Sequence, residues 1–200
     1  NDMYVVLNDH HDNYDKNDVM PYGGGYYPSA QNDEESLKFL RNVWGQVALA
    51  FNNGYDEHLV FETLNEPRLR NTDVEWIFRE SDPRTVEAAQ ETNKFNQEIV
   101  NVIRASGGNN AKRLIMVPAY SCSLEGTFSK EFVIPEDSAN NVGVTVHMYT
   151  PYSFAMDPHA SGKYNPKIAT DLSYHFKRLE SEFVKKGIPV YIGEYGANNK

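Results

Sequence analysis

The stretch FETLNEPRL, Phe61 to Leu69, runs apolar and β-prone up to Leu64 and then sets an amide, a carboxylate and a proline in a row. Polar side chains that come only at the last positions of a strand are not meant for a core, where each would need a buried partner; they are delivered to an open pocket. Pro67 then withholds a ladder donor and starts a loop. Four other apolar runs resemble this one: Tyr4 to Leu7, Arg113 to Val117, Val142 to Met148 and Val190 to Ile192. With Leu59 to Leu64 they make five strand candidates. All are short and almost continuously apolar, as parallel strands covered on both faces should be.

Amphipathic helical patterns separate the strands. Leu37, Leu40, Val43, Trp44, Val47 and Phe51 recur at three- and four-residue spacing after the acidic cluster Asn32-Asp33-Glu34-Glu35, which suits a helix N-terminus. Asp82-Pro83 supplies a cap and a first-turn proline ahead of Val86, Ala89, Phe95, Ile99, Val102 and Ile103, and Gly107-Gly108 closes that segment. Ile168, Leu172, Phe176, Leu179 and Phe183 repeat the pattern up to Lys185-Lys186-Gly187. Strands joined by helices or long connections imply an α/β fold, either a doubly wound open sheet or a (β/α)8 barrel. No glycine-rich phosphate loop follows a strand, because Gly23-Gly24-Gly25 sits in a Pro- and Tyr-rich loop. That disfavours a nucleotide-binding sheet and leaves the TIM barrel, with stretches 12–33, 67–81 and 149–167 as loops over its mouth.

Composition narrows the partners. A net charge of -9 over 200 residues argues against nucleic acid, whose phosphates need clustered Lys and Arg. No apolar run approaches the roughly 18 to 20 residues of a membrane span. Cys122 is the single cysteine, so no internal disulfide forms. The chain opens on NDMYVVLND without an initiator Met and ends just after the strand in IPVYIGEYG. It therefore reads as one partial barrel domain, residues 1–200, cut from a larger one. Five strands cannot close an eight-stranded barrel, so these residues alone are expected to fold poorly.

The C-terminal ends of the strands carry His10-His11, Asn65-Glu66, His147 with Tyr149, and Glu194. Catalytic groups of barrel enzymes sit at those ends. Glu66 and Glu194 are carboxylates at the ends of separate strands, and two such groups across a cleft are the minimum for cleaving a glycosidic bond. Glu62 lies on the same strand as Glu66 but roughly 13 Å below it, at about 3.3 Å per residue, and reads as a paired structural acid. His147 and Tyr149, two apart, share a strand face. His10-His11 hints at a metal, yet no His-Glu-x-x-His or cysteine pattern completes a zinc site, so no metal or organic cofactor is expected. Tyr22, Tyr26, Tyr27, Trp76, Phe78, Tyr152 and Phe154 fall in the mouth loops, where flat rings could stack on sugars or simply pack against one another. Trp44 reads as core.

In order along the chain, LNDHHD, HLVFETLNEPRL, VTVHMYTPY and IPVYIGEYG resemble glycoside hydrolase family 5, the large cellulase family, and in particular its subfamily 4 endoglucanases. The resemblance runs from Met3 to Gly196. It implies a TIM barrel of which roughly strands 3 to 7 are present, with Glu66 as acid/base and Glu194 as nucleophile of a retaining mechanism. It further implies that Asn65 and His10 line the sugar subsite before the scissile bond, that His147 lies near the acid/base, and that Tyr149 orients the nucleophile. Trp76 and Tyr152 are the aromatic substrate-binding candidates. The family's arginine from an earlier strand and tryptophan from the last strand have no counterpart here. The expected activity is endo-β-1,4-glucanase on cellulose-type, mixed-linkage or xyloglucan polymers. A mannanase or xylanase on the same barrel and a silent carbohydrate-binding fragment are the alternatives. The β-glucan polysaccharide is the expected partner of a monomeric domain, alone or within a multidomain enzyme, acting outside the cell.

Overall fold

A computed structural model describes residues 3–10, 27–160 and 162–197. His11, Tyr22, Tyr26 and Gly23-Gly24-Gly25 lie outside the described residues. The chain runs β1 (Val5–Asn8), α1 (Asp33–Ala50), β2 (Leu59–Glu62), α2 (Pro83–Ala105), β3 (Ile115–Pro118), α3 (Leu124–Thr127), β4 (Val142–Met148), α4 (Tyr152–Ala155), α5 (Pro166–Glu182) and β5 (Val190–Tyr195). The five strands form one sheet in sequential order, every neighbouring pair parallel. This is a half-barrel with all strand C-termini at one end. The expected incomplete TIM barrel is what the described residues form.

Alternation along each strand sorts residues to two faces. Phe61, Ile115, Val117 and Val142 pack outward against Leu40 and Trp44 of α1 and Phe95, Ile99, Val100 and Ile103 of α2. Val144, Val146 and Met148 pack against Leu124, Leu179 and Phe183. On the other face, Asn8 Nδ2 donates to Glu62 Oε2 at 2.8 Å, so Glu62 is a buried structural acid held from its register partner on β1. Cys122 is buried nearby and its thiol is pushed well up, first by burial and then by the negative charge of Glu62. Caps follow the sequence: Asp82 accepts from the Arg84 N–H at the start of α2, and Asn165 from the Lys167 and Ile168 N–H groups at the start of α5.

Several boundaries differ from the sequence reading. The regular ladder of β2 stops at Glu62 rather than Leu64. The N–H groups of Phe61 and Thr63 bond to carbonyls of the β3 segment, Leu114 and Met116, whereas the Asn65 N–H crosses to Asp9 O beyond β1 at 3.1 Å. The chain thus swings between Thr63 and Asn65. The third long helix ends at Glu182, and a separate short 3-10 turn, Val184–Lys186, leads to Gly187 in the left-handed region. Phe176 of that helix is half exposed, while Ile168 and Leu179 are its buried residues. Short helices α3 and α4 occupy stretches without a helical pattern long enough to read.

The N-terminal end of the sheet is closed by a polar cluster. All five N–H donors of buried Arg113 are used: on Asn110 Oδ1 (2.6 Å) and on the carbonyls of Asp56, Leu59, Asn52 and Tyr55 at 2.7 to 3.2 Å. Burial pushes this guanidinium down from its ordinary value. Beside it, Arg104 forks onto Asp137 at 2.8 and 2.9 Å.

Candidate active site

At the opposite end, three side chains converge from three strand ends. His147 Nδ1, from β4, lies 2.8 Å from Glu66 Oε1 and 3.5 Å from Glu194 Oε2. One ligand-type atom of each of the three lies within 4.8 Å of the other two. Glu66 and Glu194 are half-buried and His147 is buried.

Local backbone features place each group. Strict alternation on β5 would send Ile192 and Glu194 to the same face, and Ile192 packs outward. The register shifts between Val146 and His147, so that Val146 pairs with Ile192 but His147 pairs with Glu194, and Gly193 is the extra residue. This bulge returns Glu194 to the inner face. A side chain at Gly193 would also be crowded, since a Cβ there would stand 3.1 Å from Thr145 Oγ1 and 3.2 Å from His147 Nε2. On β2, the swing after Thr63 carries Glu66 toward His147. Asn96 of α2 fixes that swing from outside: its Oδ1 accepts from Thr63 Oγ1 at 2.6 Å and its Nδ2 donates to Pro118 O at 2.9 Å.

Tyr149 O–H donates to Glu194 Oε2 at 3.0 Å. Burial first, and then the Glu194 carboxylate it serves, push the Tyr149 phenol up, which keeps the donor protonated. Beyond the convergent groups opens a cleft of about 650 Å³, lined by Trp76, Ser121, Ser123, Glu125, Tyr152 and Met156 together with Glu66, His147, Tyr149 and Glu194. Trp76 and Tyr152 are exposed there. The loop that carries Trp76 is anchored by Tyr120, whose hydroxyl accepts from the Leu69 N–H at 3.2 Å and donates to Val74 O at 2.9 Å. Burial pushes that phenol up to about 12.

The remaining candidates are placed as follows. Asn65 is buried beside Glu66, its N–H bonded to Asp9 O. His10 is exposed at the end of β1, its Nδ1 3.4 Å from Asn8 Nδ2, outside the His147-centred group. Phe78 is not a mouth ring: it is buried in a small core with Leu69, Val74 and Tyr120. Tyr27 is likewise buried. Phe154 packs edge-on against Tyr164. Aromatic content alone does not separate loop rings that face a cleft from loop rings that form the loop's own core. Trp44 is fully buried and donates to Thr63 O at 3.1 Å.

Sequence reading missed Ser121, Ser123, Glu125 and Met156 as cleft residues. Ser121 and Cys122 both take positive φ, 55° and 50°, and the Ser121 N–H donates to Pro67 O at 2.7 Å, tying the turn after β3 to the turn after Glu66. Nothing in the string Ala119 to Glu125 signals this, because neither residue is a glycine. Two carboxylates and an imidazole this close could also take a divalent cation. Chemically, the same arrangement suits a proton donor, a nucleophile and a bridging imidazole without one.

All 200 residues match the family model described as Cellulase (glycosyl hydrolase family 5). Endoglucanase 1 of Ruminococcus albus is 38% identical over the whole chain, which spans 44% of that protein. Among solved structures, a complex of a family 5 lichenase variant from Caldicellulosiruptor sp. F32 with cellotetraose superposes with a TM-score of 0.87 at 40% identity, covering 99% of this chain and 53% of that one. A broad-specificity endoglucanase of subfamily 4 from Ruminococcus champanellensis, with bound cellotriose, gives 0.84 at 37% identity, covering 100% of this chain and 53% of that one. The chain thus spans about half the length of the relatives it matches.

Proposed function

This chain belongs to the cellulase family, glycosyl hydrolase family 5, and on that premise we propose that it carries the catalytic centre of a retaining endo-β-1,4-glucanase. One observation carries the reading: carboxylate oxygens of Glu66 and Glu194 come within 4.8 Å of each other at the ends of two strands, with His147 between them. Carboxylate oxygens this close suit direct attack on the anomeric carbon by one of the pair, whereas an inverting pair is set about 6.5 to 9.5 Å apart to admit a water.

The steps follow from the contacts. Glu194 Oε2 is occupied by the Tyr149 hydroxyl, which orients the carboxylate. A Glu194 oxygen bonds to the anomeric carbon as the glycosidic C–O bond breaks, and Glu66 gives its proton to the departing oxygen. Glu66 then takes a proton from water, whose oxygen bonds to the same carbon and frees Glu194. The cleft beside Glu66, with Trp76 and Tyr152, receives the departing chain, and Asn65 and His10 serve the retained sugar. The cellotetraose and cellotriose held by related structures support a β-glucan substrate. A polymer of this kind is met outside the cell, which is where the protein acts.

The test is sugar release from mixed-linkage glucan, xyloglucan, soluble cellulose, mannan and xylan by the complete catalytic domain, beside its Glu194→Gln variant. Cleavage of a β-glucan that falls by at least about 10⁴-fold in the variant is expected. A folded domain inactive on every glucan, or a variant that keeps its activity, would overturn the proposal.

A further inference from the structure

Arg68 follows the Glu66-Pro67 turn, with only 13% of its side chain exposed. Its guanidinium is engaged through Nε, Nη1 and one face. Nη1 donates to the backbone oxygen of Glu66 at 2.9 Å and stands 3.8 Å from the Glu66 carboxylate. Nε donates to Glu75 Oε1 at 3.0 Å, and Cζ lies 4.0 Å from the centroid of the Trp76 ring. Glu75 is itself fixed, because Oε2 accepts the backbone N–H of Asn71 at 3.0 Å, where the chain turns through a positive φ. One planar cation therefore touches the backbone and carboxylate of Glu66, the buttress Glu75 and the face of Trp76. Trp76 remains 54% exposed, and it lines the cleft together with Glu66.

We infer that Arg68 is a positioning residue that couples the Trp76 ring to the Glu66 carboxyl, so that a sugar stacked on the ring is held in register with the proton it receives. The inference rests on the glycosidase reading and extends it to a residue with no assigned role. Its chemistry is specific to arginine. A guanidinium can lie flat on an indole while its edge donates to two separate acceptors; an ammonium is a point charge that cannot do both. Misplacing a reacting group by about 1 Å can cost on the order of 100-fold in rate, so the coupling shows in catalysis rather than in folding alone.

The experiment compares the complete catalytic domain with its Arg68→Lys and Arg68→Met variants on two substrates that share the same retained sugars. One is a β-glucan oligosaccharide, whose leaving group is a sugar that stacks and must be protonated. The other is a dinitrophenyl glycoside, whose leaving group needs no proton and occupies no sugar subsite. The expected result is a fall of about 10- to 100-fold in kcat/KM on the oligosaccharide for both variants, shared between KM and kcat, with no rescue by lysine. On the aryl glycoside both should stay within about threefold of the parent. Full activity of Arg68→Lys on the oligosaccharide, or an equal fall on both substrates, would overturn the coupling while leaving the glycosidase reading intact. A parent domain inactive on both substrates would remove the reading and the coupling together.

Discussion

Two polar clusters stand at opposite ends of the same sheet, and they are built on opposite terms. At the N-terminal end Arg113 spends all five donors on acceptors of the chain, and Arg104 and Asp137 meet in a two-pronged pair. At the C-terminal end two carboxylates and an imidazole crowd together with few bonds among them, facing an open cleft. Saturation marks a group whose work is structural, since any change leaves acceptors unpaired. Spare hydrogen-bonding capacity, held in place by neighbours such as Asn96 and Tyr120, marks a group kept for a ligand.

Substitutions at the two ends should therefore separate activity from stability. At the mouth the expected effect is on catalysis: Glu66→Gln in the complete domain lowers kcat/KM on polysaccharide by about 10² to 10⁴-fold, with no comparable fall on an aryl glycoside that departs unprotonated. Equal loss on both substrates would remove Glu66 from the proton-donating role. At the floor, Arg113→Met strands five acceptors and should lower unfolding free energy by about 3 kcal/mol, read by chemical denaturation, with kcat unchanged for the folded fraction. A variant as stable as the parent would break the contrast.

The smallest effect sharpens it by pH. The Arg104 guanidinium holds Asp137 down at about 2, below its ordinary 3.8. A carboxyl depressed in the folded state contributes stability that is complete above its unfolded value and is lost as pH falls through its folded one. Asp137 should thus contribute about 2 kcal/mol at neutral pH, vanishing between about pH 4 and 2. Asp137→Asn should be less stable by that amount at pH 7 and converge with the parent near the acid end. Parallel stability curves would contradict it.

Much of this was legible in the sequence, for physical reasons. Parallel strands covered on both sides are almost continuously apolar, so the five runs stood out, and so did the polar side chains gathered at their C-terminal ends, such as Asn65 and Glu194. Register was not legible. The bulge at Gly193 that turns Glu194 inward depends on pairing with β4, and the swing that brings Glu66 toward His147 depends on Asp9 O capturing the Asn65 N–H. For Phe78 and Tyr27 the sequence leaves stacking on sugars and packing within the loop both open, because composition does not say which loop aromatics turn inward. Arg68 stood in the motif from the start, but its role needs Glu75 and Trp76 folded back over it.

If Glu194 attacks the anomeric carbon while Glu66 handles the proton, as proposed, a covalent glycosyl-enzyme forms. The most direct measurement is covalent trapping: the complete domain is incubated with an activated 2-deoxy-2-fluoro glycoside of a β-glucan disaccharide, which slows release of the glycosyl-enzyme, and the labelled peptide is sequenced by mass spectrometry. One added glycosyl unit is expected on Glu194, absent from Glu194→Gln. A label on another residue, or an active enzyme that never accumulates one, would contradict it.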